Sequence, residues 1–377
     1  MTVNPISANE INDYIVKKKD LFILDVRNEE DFKDWKIEGS NITHLNVPYY
    51  TLIDDVSQII EDLPKEQIIA VVCAKEGSSQ YVAELLHEKG FEVVYLEGGM
   101  KSWSEYIYQT SVYEDANMKI YQFIRVGKGC LSYMIISGVQ AIVIEPLRFT
   151  DMYVDLAQKE GVQITQIFDS HLHADHISGG HELAKKCNAK FYLMKSEGAI
   201  FEFEHLEDYE KINVENVSIE VLAVKTPGHT PGSVSFLVND TILFSGDTIF
   251  VNGLGRPDLG GKVREWAKDL YNTVYEKVSQ ITDDVIVLPA HYADFSMEVN
   301  DQGYIGSTLG NIRKQNEIMQ GQTEEEFVYQ VAKSAATTTP PNFENILAVN
   351  KGIKQATLDE IAEYEIGPNR CAVHHAG

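Results

Sequence analysis

Short apolar runs of four or five residues, each joined to a stretch with helical spacing, limit most what this chain can fold into. Phe22-Ile23-Leu24-Asp25-Val26, Ile68-Ile69-Ala70-Val71-Val72 and Val93-Val94-Tyr95-Leu96 are strand-length and read as buried strands. Ser7-Ala8-Asn9-Glu10 is a capping box ahead of Ile11, Tyr14 and Ile15. Gln80 to Lys89 sets Val82, Leu85 and Leu86 on one helical face and stops at Gly90. Apolar strands alternating with helices imply a mainly parallel sheet covered on both faces.

The pattern changes further on. Ser104 to Asp115 is polar and aromatic without a clear period, and is expected to be a linker. After it come hairpins: Leu131 to Ile136 with Gln140 to Ile144, and Val234 to Val238 with Thr241 to Phe244 around Asn239-Asp240, a turn suited to two residues of positive φ. Helices at Asp151 to Lys159 and Val263 to Val278 are interspersed, which gives a mixed α/β domain. Beyond His291 the chain reads as helical and acidic, is broken at Pro340-Pro341, and restarts at a second capping box, Thr357-Leu358-Asp359-Glu360. The expected division is 1–110, 116–350 and a C-terminal tail, 351–377.

Composition removes several functions. The 377 residues carry 32 Lys+Arg and 57 Asp+Glu, a formal charge of −25. So acidic a surface repels phosphate backbones and anionic membranes, so neither nucleic acid nor membrane is an expected partner. No apolar run reaches the ~18 residues of a membrane span, and the polar start, MTVNPISANEIN, has no signal-peptide core. Four cysteines, Cys73, Cys130, Cys187 and Cys371, are too few and scattered for a disulfide scaffold. A cytoplasmic protein with reduced thiols is expected. Cys130 and Cys187 read as structural, and Cys371 as part of an exposed tail.

Cys73 ends an apolar strand and is followed by Ala74-Lys75-Glu76-Gly77-Ser78-Ser79 and a helix. Backbone N–H groups at a helix start lower a thiol's pKa and hold anions, so a cysteine there can become a thiolate and carry sulfane sulfur. Gly77 is expected to let the loop curl, and Lys75 and Ser78 to help bind substrate. Together with Leu24-Asp25-Val26-Arg27, Glu30-Asp31-Phe32, Ile37-Glu38-Gly39-Ser40, Asn46-Val47-Pro48, Leu96-Glu97-Gly98-Gly99 and Trp103, this segment resembles a rhodanese domain. The resemblance implies a sulfurtransferase module with the persulfide on Cys73. The loop departs from that family's usual form: its Gly comes four residues after Cys rather than three, and Lys75 is its one basic residue.

Three of the eleven histidines fall in His171-Leu172-His173-Ala174-Asp175-His176, just past the apolar segment Ile164 to Phe168. His229 lies in Thr226-Pro227-Gly228-His229-Thr230-Pro231-Gly232, Asp247 ends Phe244-Ser245-Gly246-Asp247, and His291 follows Val285 to Ala290. Seven ligands at strand ends are the pattern of a metal site. The segment from about 117 to 300 resembles the metallo-β-lactamase superfamily, which implies an αββα sandwich with metal in an edge cleft. Two chemistries stay open on spacing. His171, His173 and His229 with Asp175, His176, His291 and a bridging Asp247 would hold two zinc ions for hydrolysis. His171, His229 and Asp247 alone would make a two-His-one-carboxylate face for mononuclear Fe2+ and O2.

The stretch Gly246-Asp247-Thr248 to Gly255-Arg256-Pro257-Asp258 resembles persulfide dioxygenases, also called sulfur dioxygenases. That resemblance implies iron on His171, His229 and Asp247. His173, Asp175, His176 and His291 would be outer ligands or a second metal site. Arg256 would hold the substrate anion, with Asp258 orienting it. The expected partners are a low-molecular-weight thiol persulfide, O2 and sulfite or thiosulfate, with Cys73 transferring sulfur. The rival is a glyoxalase-type thioester hydrolase with Zn2+. The thiol carrier, whether glutathione, coenzyme A or bacillithiol, and the homo-oligomeric state stay open.

Overall fold

The computed structural model describes residues 3–222, 232–255, 263–334 and 341–369. The first domain is built on five parallel strands in the order Asn4–Ile6, Val93–Leu96, Ile69–Val72, Leu21–Asp25, Ile42–Asn46. Alternation along the strands divides the core. Ile23, Ala70 and Val72 face Ile11, Ile15, Met100 and Trp103, from helices Ala8–Val16 and Gly99–Glu105. Leu24, Ile69 and Val71 face Val82, Ala83 and Leu86 of helix Gly77–Glu88. Burying each Val, Leu, Ile or Met among them contributes roughly 1.5–3 kcal/mol. The sheet is thus covered on both faces, as its near-continuous apolar runs require.

The segment expected to be a linker forms a strand. Ile107–Glu114 pairs antiparallel with Lys119–Arg125 through a turn closed by Asp115 N–H on Met118 O. Its aromatic and β-branched residues suit a half-buried pleated edge, where packing rather than strict alternation decides. It is the last strand of a seven-stranded sheet ordered Glu204–His205, Lys190–Leu193, Gln163–Phe168, Gln140–Ile144, Cys130–Ser137, Lys119–Arg125, Ile107–Glu114. The facing sheet runs Lys211–Val214, Val217–Leu222, Ser235–Val238, Ile242–Gly246, Ile286–Pro289, Ser307–Thr308. Between them Tyr133 meets Phe244 edge-on at 5.0 Å, and Phe168 meets Phe236 at 5.3 Å. Helices Asp151–Glu160 and Gly180–Cys187 cover one sheet, and Val263–Asn272, Leu309–Gln315 and Glu324–Ser334 cover the other. This is an αββα sandwich.

Both expected hairpins form, and Asn239 and Asp240 have φ of 48° and 52°. After the outer helices the chain returns as Phe343–Asn350 and Leu358–Tyr364, the latter opened by its capping box. This return brings Asn350, Glu365 and Asn369 into buried positions beside the strand ends that carry the histidines. No helix among the described residues is long and apolar enough to cross a membrane.

Candidate metal centre and cysteine loop

Strand ends assemble the centre. His171 to His176 follow Gln163–Phe168, Asp247 follows Ile242–Gly246, and His291 follows Ile286–Pro289. Gly246 lies at φ 55°, and a Cβ there would sit 2.5 Å from Ser170 Oγ, so only glycine lets the Asp247 strand approach. That same hydroxyl lies 2.9 Å from His171 Nδ1, so Nε2 is the ring atom facing Asp247 Oδ2, at 3.6 Å. His291 Nδ1 lies 2.6 Å from Asp247 Oδ1, and His291 Nε2 3.1 Å from Asp175 Oδ2. Six of the seven ligands read from the motifs, His171, His173, Asp175, His176, Asp247 and His291, are therefore buried together. His229, Arg256 and Asp258 lie outside the described residues, as does Cys371.

Two groups offer one donor atom each within 4.8 Å of one another: Glu145, His171 and His173, and Cys130, Asp175, His176 and His291. Glu145, at φ 53°, accepts from Ser170 N–H and from His173 Nε2 at 2.9 Å. Among the described residues, His173 Nδ1 and His176 Nε2 are buried with no hydrogen-bond partner. Glu145, Asp169, Asp175 and Asp247 give four buried carboxylates beside four imidazoles. Neutral imidazoles would leave that negative charge uncompensated. These nitrogen and oxygen donors and their charge suit a divalent transition metal.

The electrostatics carry the same signature. Burial opposes protonation of His173, yet bonds to Asp169 and Glu145 more than offset it and hold its pKa well above the histidine value. Burial likewise opposes ionisation of Asp175, and His291 and His176 hold its pKa well below the carboxylate value.

Cys130 belongs to this centre, against the structural role expected of it. Its Sγ lies 3.5 Å from His176 Nδ1 and 3.7 Å from Asp175 Oδ2. Burial pushes the thiol up, but His176 and then His291 outweigh it and bring the pKa down to about 7. A bridge between Cys130 and His291 sets this proximity, and nothing in local spacing signals it. Asn350 was missed for a similar reason. Its Nδ2 donates to His173 O and His176 O, both at 2.8 Å, and its Oδ1 accepts from Ser178 N–H.

In the first domain Cys73 Sγ accepts from Glu76 N–H at 3.0 Å and lies 3.2 Å from Ser79 Oγ. The curl of this loop comes from Glu76, not Gly77. Glu76 stands at φ 110°, three residues after Cys73, and its carboxylate accepts from Gly98 N–H at 2.6 Å. Gly77 opens the helix and is not among the positive-φ residues. Ser79 rather than Ser78 touches the sulfur. Lys75 is exposed and pairs with Glu363 at 3.2 Å.

Residues 125–292 match the model of the metallo-beta-lactamase superfamily, and residues 7–106 that of the rhodanese-like domain. The chain is similar to the mitochondrial persulfide dioxygenase ETHE1 of Homo sapiens, 31% identical over 169 residues, 43% of this chain and 63% of that protein. It is also similar to hydroxyacylglutathione hydrolase of Francisella tularensis subsp. novicida, 34% identical over 164 residues, 42% of this chain and 61% of that protein. The crystal structure of metallo-beta-lactamase from Staphylococcus aureus subsp. aureus COL aligns with a TM-score of 0.57 at 30% identity, covering 64% of this chain and 74% of that one. The chain thus spans a little over 60% of the length of these two curated relatives.

Proposed function

The chain belongs to the metallo-beta-lactamase superfamily through residues 125–292 and carries a rhodanese-like domain over 7–106, and from that premise we propose that it is a persulfide dioxygenase coupled to sulfur transfer. The observation that carries this reading is a pairing within one chain. His171 Nε2 and Asp247 Oδ2 face each other at 3.6 Å in one domain, and Glu76 N–H holds the Cys73 sulfur at 3.0 Å in the other. Both sites have a use if both act on sulfane sulfur. The 31% likeness to a persulfide dioxygenase over 169 residues supports the same reading.

In this reading His171, His229 and Asp247 hold Fe2+, and His173, Asp175, His176 and His291 surround it. The iron, when bound, supplies activation of O2 toward the terminal sulfur of the persulfide. The other steps belong to side chains. Ser170 fixes the His171 tautomer, and His291 holds the Asp247 carboxylate in place. Arg256, oriented by Asp258, holds the anionic end of the substrate. The overall change is R–S–SH + O2 + H2O giving R–SH, sulfite and two protons. A second persulfide passes its outer sulfur to the Cys73 thiolate and leaves as R–S−. Sulfite then attacks that sulfur, the Cys73 S–S bond breaks, and thiosulfate leaves with Cys73 again a thiolate.

Metal analysis of anaerobically purified protein, joined to O2 uptake on several low-molecular-weight persulfides, tests the reading. One iron per chain and O2 consumption are expected. Cys73→Ser should keep O2 uptake but accumulate sulfite where the parent makes thiosulfate, and equal thiosulfate would remove Cys73 from the path. A second reading is a dinuclear zinc thioester hydrolase. It is favoured by the cluster of Asp175, His176 and His291 and by the likeness to hydroxyacylglutathione hydrolase. Two tightly bound zincs with thioesterase activity and no O2 uptake would establish it instead.

A further inference from the structure

A cavity of about 240 Å³ lies where the two domains meet the C-terminal segment. Ala74 and Met100 line it from the first domain, Lys128 and Asp175 from the second, and Tyr364 and Pro368 from the returning chain. Ala74 is the residue after Cys73, and Asp175 belongs to the cluster with Cys130, His176 and His291. The cavity therefore runs beside the Cys73 loop on one side and the Asp175 cluster on the other. The carboxylates Asp31 and Asp34, exposed to solvent, also line it.

Among the described residues Arg27 and Lys128 are the cations of the lining; Arg27 is already paired with Asp25 at 2.6 Å, which leaves Lys128. It is only 4% exposed. Its backbone is fixed at both ends, with N–H on Arg125 O at 3.1 Å and its carbonyl accepting from Asn369 N–H at 2.8 Å. Its ammonium reaches the Pro368 carbonyl at 3.5 Å, and no carboxylate among the described residues pairs with it. Asp31, Asp34 and Asp175 lie on the same lining but none pairs directly with Lys128; burying an ammonium without a direct partner is costly, so the Lys128 side of the cavity suits an anionic ligand. At about 240 Å³ the space is below the ~300–1,000 Å³ of a drug-sized pocket. It suits an inorganic oxoanion rather than a whole thiol cofactor.

We infer that this chamber binds sulfite between the metal centre and the Cys73 loop, with Lys128 holding the dianion, so that sulfite made in one domain meets the Cys73 persulfide without mixing with solvent. The inference rests on the persulfide dioxygenase reading. The acidic rim of Asp31 and Asp34 opposes escape of an anion. Within the chamber the sulfur lone pair of sulfite attacks the outer sulfur on Cys73. The S–S bond breaks toward the cysteine, and thiosulfate departs with no oxidant or reductant required.

The test uses the full-length, iron-loaded protein turning over a persulfide and O2 while isotopically labelled sulfite is present in solution. Thiosulfate from the parent should carry a label fraction well below that of the bulk sulfite. Lys128→Met keeps the apolar stem and removes the charge, so it should fold; its thiosulfate should take up label to the bulk level, and Lys128→Arg should restore exclusion. Full mixing of label in the parent overturns the chamber. A second measurement needs no turnover: calorimetric titration of reduced, metal-free protein with inorganic sulfite. Binding should weaken about tenfold to a hundredfold in Lys128→Met, the range expected for losing one hydrogen bond from a charged group. Equal affinity in parent and variant overturns the role of Lys128. Absence of O2 uptake with every persulfide sinks the dioxygenase reading instead, and the titration still decides whether the anion site exists.

Discussion

Glu76 occupies backbone that L residues rarely adopt, φ 110°, where a rhodanese loop commonly has glycine. Such strain costs about 1–3 kcal/mol and persists only where surroundings hold it. Here the N–H is committed to the Cys73 sulfur and the carboxylate to Gly98 N–H. Glu76→Ala keeps the strain and loses the carboxylate bond, whereas Glu76→Gly loses the bond but relieves the strain. The Gly variant is therefore expected to be more stable than the Ala variant by about 1 kcal/mol in denaturant melts. A more stable Ala variant would mean that the loop relaxes out of this conformation. Asp247 is the carboxylate facing His171, and on the proposed dioxygenase reading Asp247→Ala should lose bound iron and O2 uptake together. Sulfur transfer through Cys73 should continue, because that loop packs in its own apolar cluster. A variant that binds iron and consumes O2 like the parent would show the ligand assignment to be wrong.

Helix Phe343–Asn350 does more than cover a surface. Its last residue, Asn350, makes three hydrogen bonds to the loop carrying His173 and His176. At a net 0.5–1.5 kcal/mol each, Asn350→Ala should cost about 2–4 kcal/mol. It should also lower metal retention on dialysis against a chelator, since the loop's carbonyls lose the group that orients them. Asn350→Asp puts acceptors against two carbonyls and should be worse than Ala at neutral pH. Thermal melts and metal analysis of the pair check both statements; unchanged metal retention in both would make the helix a passive cover.

The whole molecule is tied together at Glu365. Its carboxylate meets Arg125 at 3.0 Å and Arg148 at 2.7 Å, and it accepts from Ile177 N–H, directly after His176. Arg148 also reaches Glu105 at 2.8 Å, and Arg125 donates to Ser104 O, so the end of the first domain is bound into the same network. Burial alone would raise the Glu365 pKa, but Arg125 and Arg148 outweigh it and lower the value. A depressed folded pKa gives stability that is present above the unfolded value, ~4.3, and lost as pH falls through the folded one. Glu365→Gln, which leaves the buried Arg125 guanidinium without its anion while Arg148 keeps Glu105, should cost about 3–5 kcal/mol at pH 7. The gap to the parent should narrow as pH falls below about 4. Denaturant melts from pH 3 to 7 measure this, and a gap constant with pH would show that Glu365 is not the charged hub.

Sequence alone identified what is local or periodic. Three of the first domain's five strands, its first helix and helix Gly77–Glu88, the Asn239-Asp240 turn, both capping boxes and the gathering of His and Asp residues at strand ends were legible because each rests on neighbours a few residues apart. Tertiary structure decided the rest. Cys130 reaches His176 and Asp175 across 46 and 45 residues. Asn350 and Glu365 return to the histidine loop from 174 and 188 residues away, and the linker became a strand by pairing with Lys119–Arg125. Such partners are chosen by sheet register and by the path of the returning chain, and neither leaves a period to read. The loop's left-handed residue was hidden for a related reason: Glu76 is held there by its bonds to Cys73 and Gly98, against its own intrinsic preference.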